Sequence, residues 1–516
     1  MMSGRTKNVL PDIGDLIFLS VILLLVFSCP QYLLVDGSTG WHLITGQYIL
    51  QTLSVPSHDL VSYTFPDKAW VAYEWLSDVI FALIAKLGGL TLLNIFVASA
   101  IAFLFLRLYQ DCRRSDCNFA MSFVLTMLAA IASSIHWLAR PHIFTFWGLY
   151  IFARTLEDYR QGSISDRRLQ VTLAVTMLFW ANLHPAFFLG LILLIIYYVP
   201  EIVGFLMYGS TALKKEHEAR ARAMSLAFAF SSIATLINPY GLKLYEYIAR
   251  YFHGSRQVII ATDEYRSPVF QGGVQSTSLE ILFFLLVLGL VLSKRRPALA
   301  PFLASLAFAH LALSYLRGAP LFVIVALPFI AGCFAAASLI GNESPSLWVS
   351  KVKERWRILN ASFDQTEATC QMHLLPILTV VVLAACTLIG PSASGYIPKT
   401  GFDTATLPSK TLDYIQDNKL PANKGFNCDN WGGLIRYKLD MPVFIDERAD
   451  FYGEPFYLEY AKVSLATPDW SKVLDKYQVE WILFPRNSVL AQRLLESKNW
   501  KLVCEDPAAY LFIRTH

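Results

Sequence analysis

Long apolar stretches joined by short polar connections fill most of the chain, and a mixed pattern follows. Runs near the roughly 20 residues that a helix needs to cross a bilayer fall at about 16–35, 89–106, 118–135, 142–153, 169–181, 186–207, 222–237, 279–293, 298–314, 319–340 and 373–391. They predict eleven membrane helices, the fourth and fifth of them short. The first run is too long for a signal peptide and is followed by Asp-Gly-Ser, not by a small-x-small cleavage pattern, so it reads as a retained helix.

Between the runs, "TGWHLITGQYIL" repeats apolar residues at helical spacing, "SVPSHDLVSYTFP" is a turn-rich connector, and "AWVAYEWLSDVIFALIAKLG" is helical again. Two helices lying on the membrane surface are expected within 36–88. At the C-terminal end the pattern becomes that of a soluble fold. "MPVFIDERAD" and "VEWILFP" read as strands, "DWSKVLDKYQ" and "SVLAQRLLESKN" as helices, and "WKLVCED" with "AAYLFIRT" as a closing pair. A small α/β layer is expected there.

The cations orient these elements. Every second connection is basic: Arg5 and Lys7; Arg107, Arg113 and Arg114; Arg154, Arg160, Arg167 and Arg168; Lys214, Lys215, Arg220 and Arg222; Lys294, Arg295 and Arg296; Lys351, Lys353, Arg355 and Arg357. The short connections between them hold only Arg140 and Arg317. By the positive-inside rule the N-terminus is cytoplasmic, and the loops 36–88 and 238–278 and everything after 391 lie outside. An inner segment, 341–371, is expected to be a cytoplasmic linker with a surface helix around "SLWVSKVKERW". No internal repeat is visible.

Composition agrees: of 516 residues 55% are hydrophobic and only 16% charged, with a mean hydropathy of +0.45, which marks an integral membrane protein. The net charge of +4 comes with no basic tail, so nucleic acid is not an expected partner. No zinc spacing, P-loop or dinucleotide fingerprint occurs, and the eight cysteines form no paired C-x-x-C set. Cys428 and Cys504 lie on the oxidising side, where a disulfide and two core thiols are both open readings; the other six belong to helix packing.

Polar residues at the outer surface are the candidates for chemistry, because an ionisable group near hydrocarbon is costly and is either paired or functional. Asp36 leaves the first apolar run in "LLVDGSTGWHLITGQYIL". Asp-Gly is a common turn pair, so a capping role explains it; Trp41 and His42 just behind it also place an acid, an aromatic and an imidazole at one interface. Glu74 in "AYEWLSD" either favours a helix dipole or is a second carboxylate on the same cavity. Asp59 in "VPSHDLVSYT" either fixes a turn or helps bind substrate. Arg140 in "HWLARPHIF" and Arg317 in "SYLRGAP" either snorkel to lipid phosphate or, with His142, Asn182 and His184, line an outward bowl that grips a phosphate in bidentate fashion. Tyr240, Lys243, Asp263, Glu264, Tyr265 and Arg266 of the second loop are either a solvated face or part of a loop that closes over a lipid donor.

This arrangement, a first helix ending in an outward acid, a long first outer loop, some ten further helices and an outer C-terminal domain, resembles the C-type (GT-C) glycosyltransferases that use polyprenyl-phosphate sugars. Their members include the protein mannosyltransferases and the bacterial lipid A aminoarabinose transferases. "DGSTGWHLITGQYIL", "VPSHDLVSYTF", "WVAYEWLSDVIF" and "NWGGLIRYKLDMPVFIDERADFYG" are similar to stretches of a group of bacterial membrane proteins assigned to that superfamily. The resemblance implies an α-helical polytopic catalytic domain over 1–391, of about eleven helices, with a periplasmic α/β domain over 392–516, in a bacterial inner membrane. It implies a polyprenyl-phosphate sugar as donor and a protein, lipid or polysaccharide hydroxyl as acceptor, with Asp36 as the base of an inverting transfer. Arg140, Arg317 and His184 would then hold the donor phosphate, Glu74 or Asp59 would be the second acid, and His42, His142, Asn182, Tyr240 and Arg266 would surround the cavity. Asp36 lacks the adjacent second acid of the simplest family pattern, so no divalent metal or other cofactor is claimed. In "FIDERADFYG", Asp446, Glu447, Arg448 and Asp450 either bind acceptor or pair among themselves at a strand end. Two other functions fit the same architecture: a lipid-linked sugar transporter or flippase, and a non-catalytic assembly protein. Against the transporter, the polar residues cluster at one surface and not at the bilayer midplane.

Overall fold

The computed structural model describes residues 11–209, 212–254, 263–337, 347–367, 373–389 and 397–515. Arg5 and Lys7, positions 255–262 of the second outer loop, both ends of the 341–371 linker and positions 392–396 lie outside the described residues.

Each apolar run lies largely in a helix. Five helices are long and apolar enough to cross a membrane: Trp75–Arg114, Phe119–His136, Pro185–Met207, Val274–Leu292 and Leu316–Ala335. Ile13–Ser28, Leu299–Ser314 and Leu374–Ile389 are shorter apolar helices. The other three runs fall in His142–Arg160, Asp166–Leu183 and Ala212–Ala234. The first of the described helices opens on a capping box in which Asp12 accepts from Asp15 N at 2.7 Å and Asp15 accepts from Asp12 N at 3.2 Å. It ends earlier than its apolar pattern, in a π turn over Leu23–Ser28, and Tyr32–Leu34 forms a separate 3₁₀ turn. Asp36 therefore stands in a turn beyond the helix, not on its last residue.

The first of the two helices expected within 36–88 is Thr39–Thr52, closed by Leu53 in the left-handed region and buried over Thr39–Leu43. The second is not a separate element. It is the beginning of Trp75–Arg114, which breaks at Gly88 and Gly89 before continuing. Gly89 has φ +66°, a value that glycine adopts without the Cβ penalty of other residues, and this lets one helix turn sharply. The linker helix Leu347–Glu367 docks through Phe363, stacked on Phe119 at 4.1 Å, and through Asp364 and Glu367, which pair with Arg113.

The C-terminal part contains a four-stranded sheet: β1 (Gly425–Asn427), β2 (Trp481–Pro485), β3 (Trp500–Glu505) and β4 (Ala509–Arg514), in the order β1-β2-β4-β3. β1 and β2 are parallel, and the other pairs are antiparallel. Helices Trp470–Lys476 and Val489–Glu496 lie where the apolar spacing predicts them. "MPVFIDERAD" is not a strand of this sheet. It runs as a strap between residues 61–64 and β1: Val443 N donates to Val61 O (3.0 Å) and Val443 O accepts from Tyr63 N (2.9 Å), while on the other side the Asn427 side chain, in place of a backbone ladder, bonds to Phe444 N and Ile445 O and Phe444 packs 4.8 Å from Phe426. Cys428 and Cys504 are both free thiols.

This part does not stand apart from the membrane helices. Helix Gly432–Leu439 crosses Thr39–Thr52 at a point where Gly40 faces the Gly433 backbone so closely that a Cβ would collide with it. Tyr63 OH donates to Gly425 O (3.1 Å), Thr64 Oγ1 to Phe444 O (2.8 Å) and Arg436 Nε to Leu60 O (3.0 Å). The three motifs "DGSTGW", "NWGG" and "FIDERAD" thus meet at one place.

Candidate functional site

Asp36 holds its own turn and pairs with a distant cation. Its Oδ1 accepts from Ser38 N at 2.7 Å, which holds the turn, while Oδ2 accepts from Arg140 Nη1 at 3.0 Å. The position of Arg140 is built by its neighbour: Ala139 N donates to Leu33 O (2.8 Å) and Ala139 O accepts from Thr39 Oγ1 (3.0 Å). The two chain segments flanking Asp36 therefore fix the segment that carries Arg140.

The same Nη1 also donates to Glu264 Oε1 at 3.0 Å. Glu264 lies in a short 3₁₀ turn, Asp263–Tyr265, held by Leu316 N donating to Arg266 O at 2.8 Å and by the Arg317 guanidinium 4.6 Å from the Tyr265 ring centroid. Burial opposes the charge on Arg140, but Glu264 and Asp36 outweigh it and raise its pKa above the usual arginine value. Burial likewise acts against the Glu264 carboxylate, and Arg140 and Arg317 overcome it and lower its pKa. One guanidinium thus bridges two partly exposed carboxylates. Its Nη2 and Nε donate to none of the described residues, which leaves one edge of the planar fork open.

Glu447, from the C-terminal part, is the third carboxyl in this field. Its Oε2 accepts from Gly433 N at 3.3 Å. Burial first, and then the charge of Asp36, hold its pKa well above the usual carboxylate range.

Glu74 faces a second cluster. Its Oε1 lies 3.4 Å from His184 Nε2, and its Oε2 lies 4.0 Å from His42 Nδ1. Burial raises its pKa from 4.5 to about 8, with Arg140 pulling the other way. His184 Nδ1 is bonded to Thr145 Oγ1 at 2.8 Å and accepts from Ala186 N at 3.3 Å, which turns its Nε2 toward Glu74. His42 does not face Asp36. Its Nδ1 shares a 2.7 Å hydrogen bond with Asp78, and its ring lies 3.6 Å from the Trp41 ring, tilted by 32°. Burial pushes the His42 imidazole well below its usual pKa, with Arg140 acting in the same direction.

Several expected cavity residues have other duties. Asp59 accepts from Val61 N, Ser62 N and Ser62 Oγ and pairs with Arg448 at 2.6 Å; it holds a turn and an interface. Asn182 accepts from Trp75 Nε1 and donates to Leu178 O and Ile237 O. His142 Nε2 bonds to His136 O at 2.9 Å, and Tyr240 OH accepts from Ala72 N at 2.9 Å. Arg448 donates to Asp446 and Asp59 and lies over the Trp70 ring at 4.5 Å, so Asp446 and Arg448 of the motif form a buried ion network with Asp59. Sequence reasoning undervalued Glu264 and did not single out Asp78. The signal for Glu264 was the acidic pair in "ATDEYRSP".

Among the described residues, one group of three potential metal ligands is compact, Asp12, Asp15 and His373, at the other end of the first helix from Asp36. Between Asp36 and Glu264 lies Arg140, which donates to both carboxylates.

The fold is similar to those of two solved membrane enzymes. The Archaeoglobus fulgidus oligosaccharyltransferase in its apo form is similar over 92% of this chain and 69% of its own, at 13% identity and a TM-score of 0.55. The same enzyme, in complex with an inhibitory peptide and a dolichol-phosphate, gives a TM-score of 0.52 at 12% identity over 92% of this chain and 68% of that one. ArnT from Cupriavidus metallidurans bound to undecaprenyl phosphate is similar over 96% of this chain and 97% of its own, at 14% identity and a TM-score of 0.50. No family model matches the sequence, and no curated protein matches it.

Proposed function

We propose that this protein is a membrane glycosyltransferase that moves a sugar from a polyprenyl-phosphate donor to an acceptor hydroxyl, on the face where Asp36 emerges. The observation that carries this reading is the Asp36–Arg140–Glu264 bridge with its open guanidinium edge. Asp36 takes the proton of the acceptor hydroxyl as its oxygen attacks the anomeric carbon. The bond from that carbon to the phosphate oxygen breaks, the polyprenyl phosphate leaves with the electron pair, and the configuration inverts. Base assistance of this kind contributes about 10² to 10⁴-fold, so positioning and stabilisation of the leaving phosphate supply the rest.

The open edge of Arg140 suits two phosphate oxygens side by side, and Arg317 adds charge to the same field. His184 takes part through Glu74 and not by direct contact with phosphate. Glu264 keeps Arg140 charged and oriented. The dolichol-phosphate and undecaprenyl phosphate in the solved complexes of similar fold support a lipid phosphate as the donor's carrier. The basic connections support a multi-pass arrangement of eleven helices with the N-terminus cytoplasmic and the C-terminal part periplasmic in a bacterial inner membrane.

The test compares purified wild type with Asp36→Asn on a panel of polyprenyl-phosphate sugars, reading turnover and donor binding in the same samples. Loss of turnover with donor binding retained is expected. Equal turnover removes Asp36 as the base, and donor transport without transfer replaces the enzyme with a flippase. Absence of donor binding by either protein favours the assembly role.

A further inference from the structure

The end of the bundle away from Asp36 contains a cavity of about 930 Å³ that the proposed reaction does not use. Its distance from the site follows from one helix: Arg140 precedes His142–Arg160, and Arg160, at the far end of those 19 residues, lines the cavity, roughly 28 Å away at 1.5 Å per residue.

One wall is apolar and comes from Leu316–Ala335, with Ile324, Val325 and Phe329 among its residues. The rim is basic: six cations line the cavity against three carboxylates. The arginines from the other lining helices are already matched. Arg114 and Arg154 share Asp111 at 3.1 and 3.2 Å, and Arg160 pairs with Glu157 at 2.7 Å. Lys294, Arg295 and Arg296 are different. They form the short connection between Val274–Leu292 and Leu299–Ser314, they are exposed, and their side chains make no hydrogen bond or ion pair with any described residue.

Three uncompensated cations at the mouth of a cavity with an apolar wall are complementary to an amphiphile with an anionic phosphate head. Snorkelling cations need no cavity, and a soluble anion needs no apolar wall. A basic pocket between membrane helices is the arrangement that holds anionic lipid head groups. We propose that this cavity binds an anionic phospholipid, with its phosphate at Lys294–Arg296 and its acyl chains along Ile324 and Phe329. The site is separate from the donor site and does not depend on the glycosyltransferase reading.

The experiment titrates the purified full-length protein with short-chain phosphatidylglycerol, short-chain phosphatidylcholine, glycerol phosphate or inorganic phosphate, and follows binding by thermal shift and by lipid retained in native mass spectra. Phosphatidylglycerol is expected to bind at least about tenfold more tightly than the other three. The triple variant K294Q/R295Q/R296Q is expected to lose that preference, and K351Q/R355Q, on exposed cations of the linker helix, is expected to keep it. Equal loss in both variants reduces the effect to general surface charge and overturns the proposal. Binding of inorganic or glycerol phosphate as tight as that of phosphatidylglycerol overturns the lipid assignment, and equal binding of phosphatidylcholine overturns the role of the cations.

Discussion

Replacing Glu74 by glutamine removes a buried titration and leaves the shape of the side chain intact. In the folded protein the carboxyl loses its proton at about 8 against an ordinary value of 4.5, with burial as the cause and Arg140 as a partial counterweight. At about 1.4 kcal/mol for each tenfold change in proton affinity, that displacement is worth roughly 5 kcal/mol. The sign follows from proton counting. Between these two values the folded state keeps the proton and the unfolded chain has lost it, so stability falls as pH rises, by up to about 1.4 kcal/mol per pH unit. The contribution is fully present below pH 4.5 and lost by about pH 8. Thermal unfolding of wild type and E74Q in the same detergent, at steps between pH 5 and 8.5, checks this. Wild type is expected to lose stability with rising pH relative to E74Q, with the difference levelling off above pH 8. The measured difference isolates Glu74 because the other titrating groups are common to both proteins. Parallel pH profiles would refute the burial argument and mean that Glu74 is ionised in the folded state, as a carboxylate beside His184 and His42.

Other expectations rest on separate contacts. Arg448→Met leaves Asp59 and Asp446 buried without their cation and is expected to cost about 3 to 5 kcal/mol, read by denaturant or thermal unfolding; a loss under 1 kcal/mol would mean that the network is not a fixed interface. Gly40→Ala places a Cβ against the Gly433 backbone and is expected to destabilise by roughly 1 to 3 kcal/mol and to expose the 432–439 segment to proteolysis, whereas an unchanged digestion pattern would argue against the close crossing. Arg140→Lys keeps the charge but loses the planar edge, so donor affinity is expected to fall roughly tenfold or more in a direct binding assay; full affinity would exclude a bidentate grip.

The apolar runs, the basic alternation and the exit of Asp36 from the first helix are written in the sequence, because crossing a bilayer imposes a length and a charge rule that a single chain displays directly. The α/β character of the C-terminal part was also legible in the period of "VEWILFP" and of the closing pair "WKLVCED" and "AAYLFIRT". Three things were decided only by tertiary structure. "MPVFIDERAD" has the short apolar run of a buried strand, yet it joins no sheet and packs between residues 61–64 and β1, since an apolar run specifies burial without saying what covers it. Asp36 and His42 are close in sequence but face different partners, Arg140 and Asp78, because the turn at Asp36 and the helix that follows direct the two side chains apart. Glu264 lies more than two hundred positions from Asp36 and shares one guanidinium nitrogen with it, a meeting set by which helices pack together. The local pattern determined which residues lie at the surface of the bundle; only the packing of distant segments determined which of them meet.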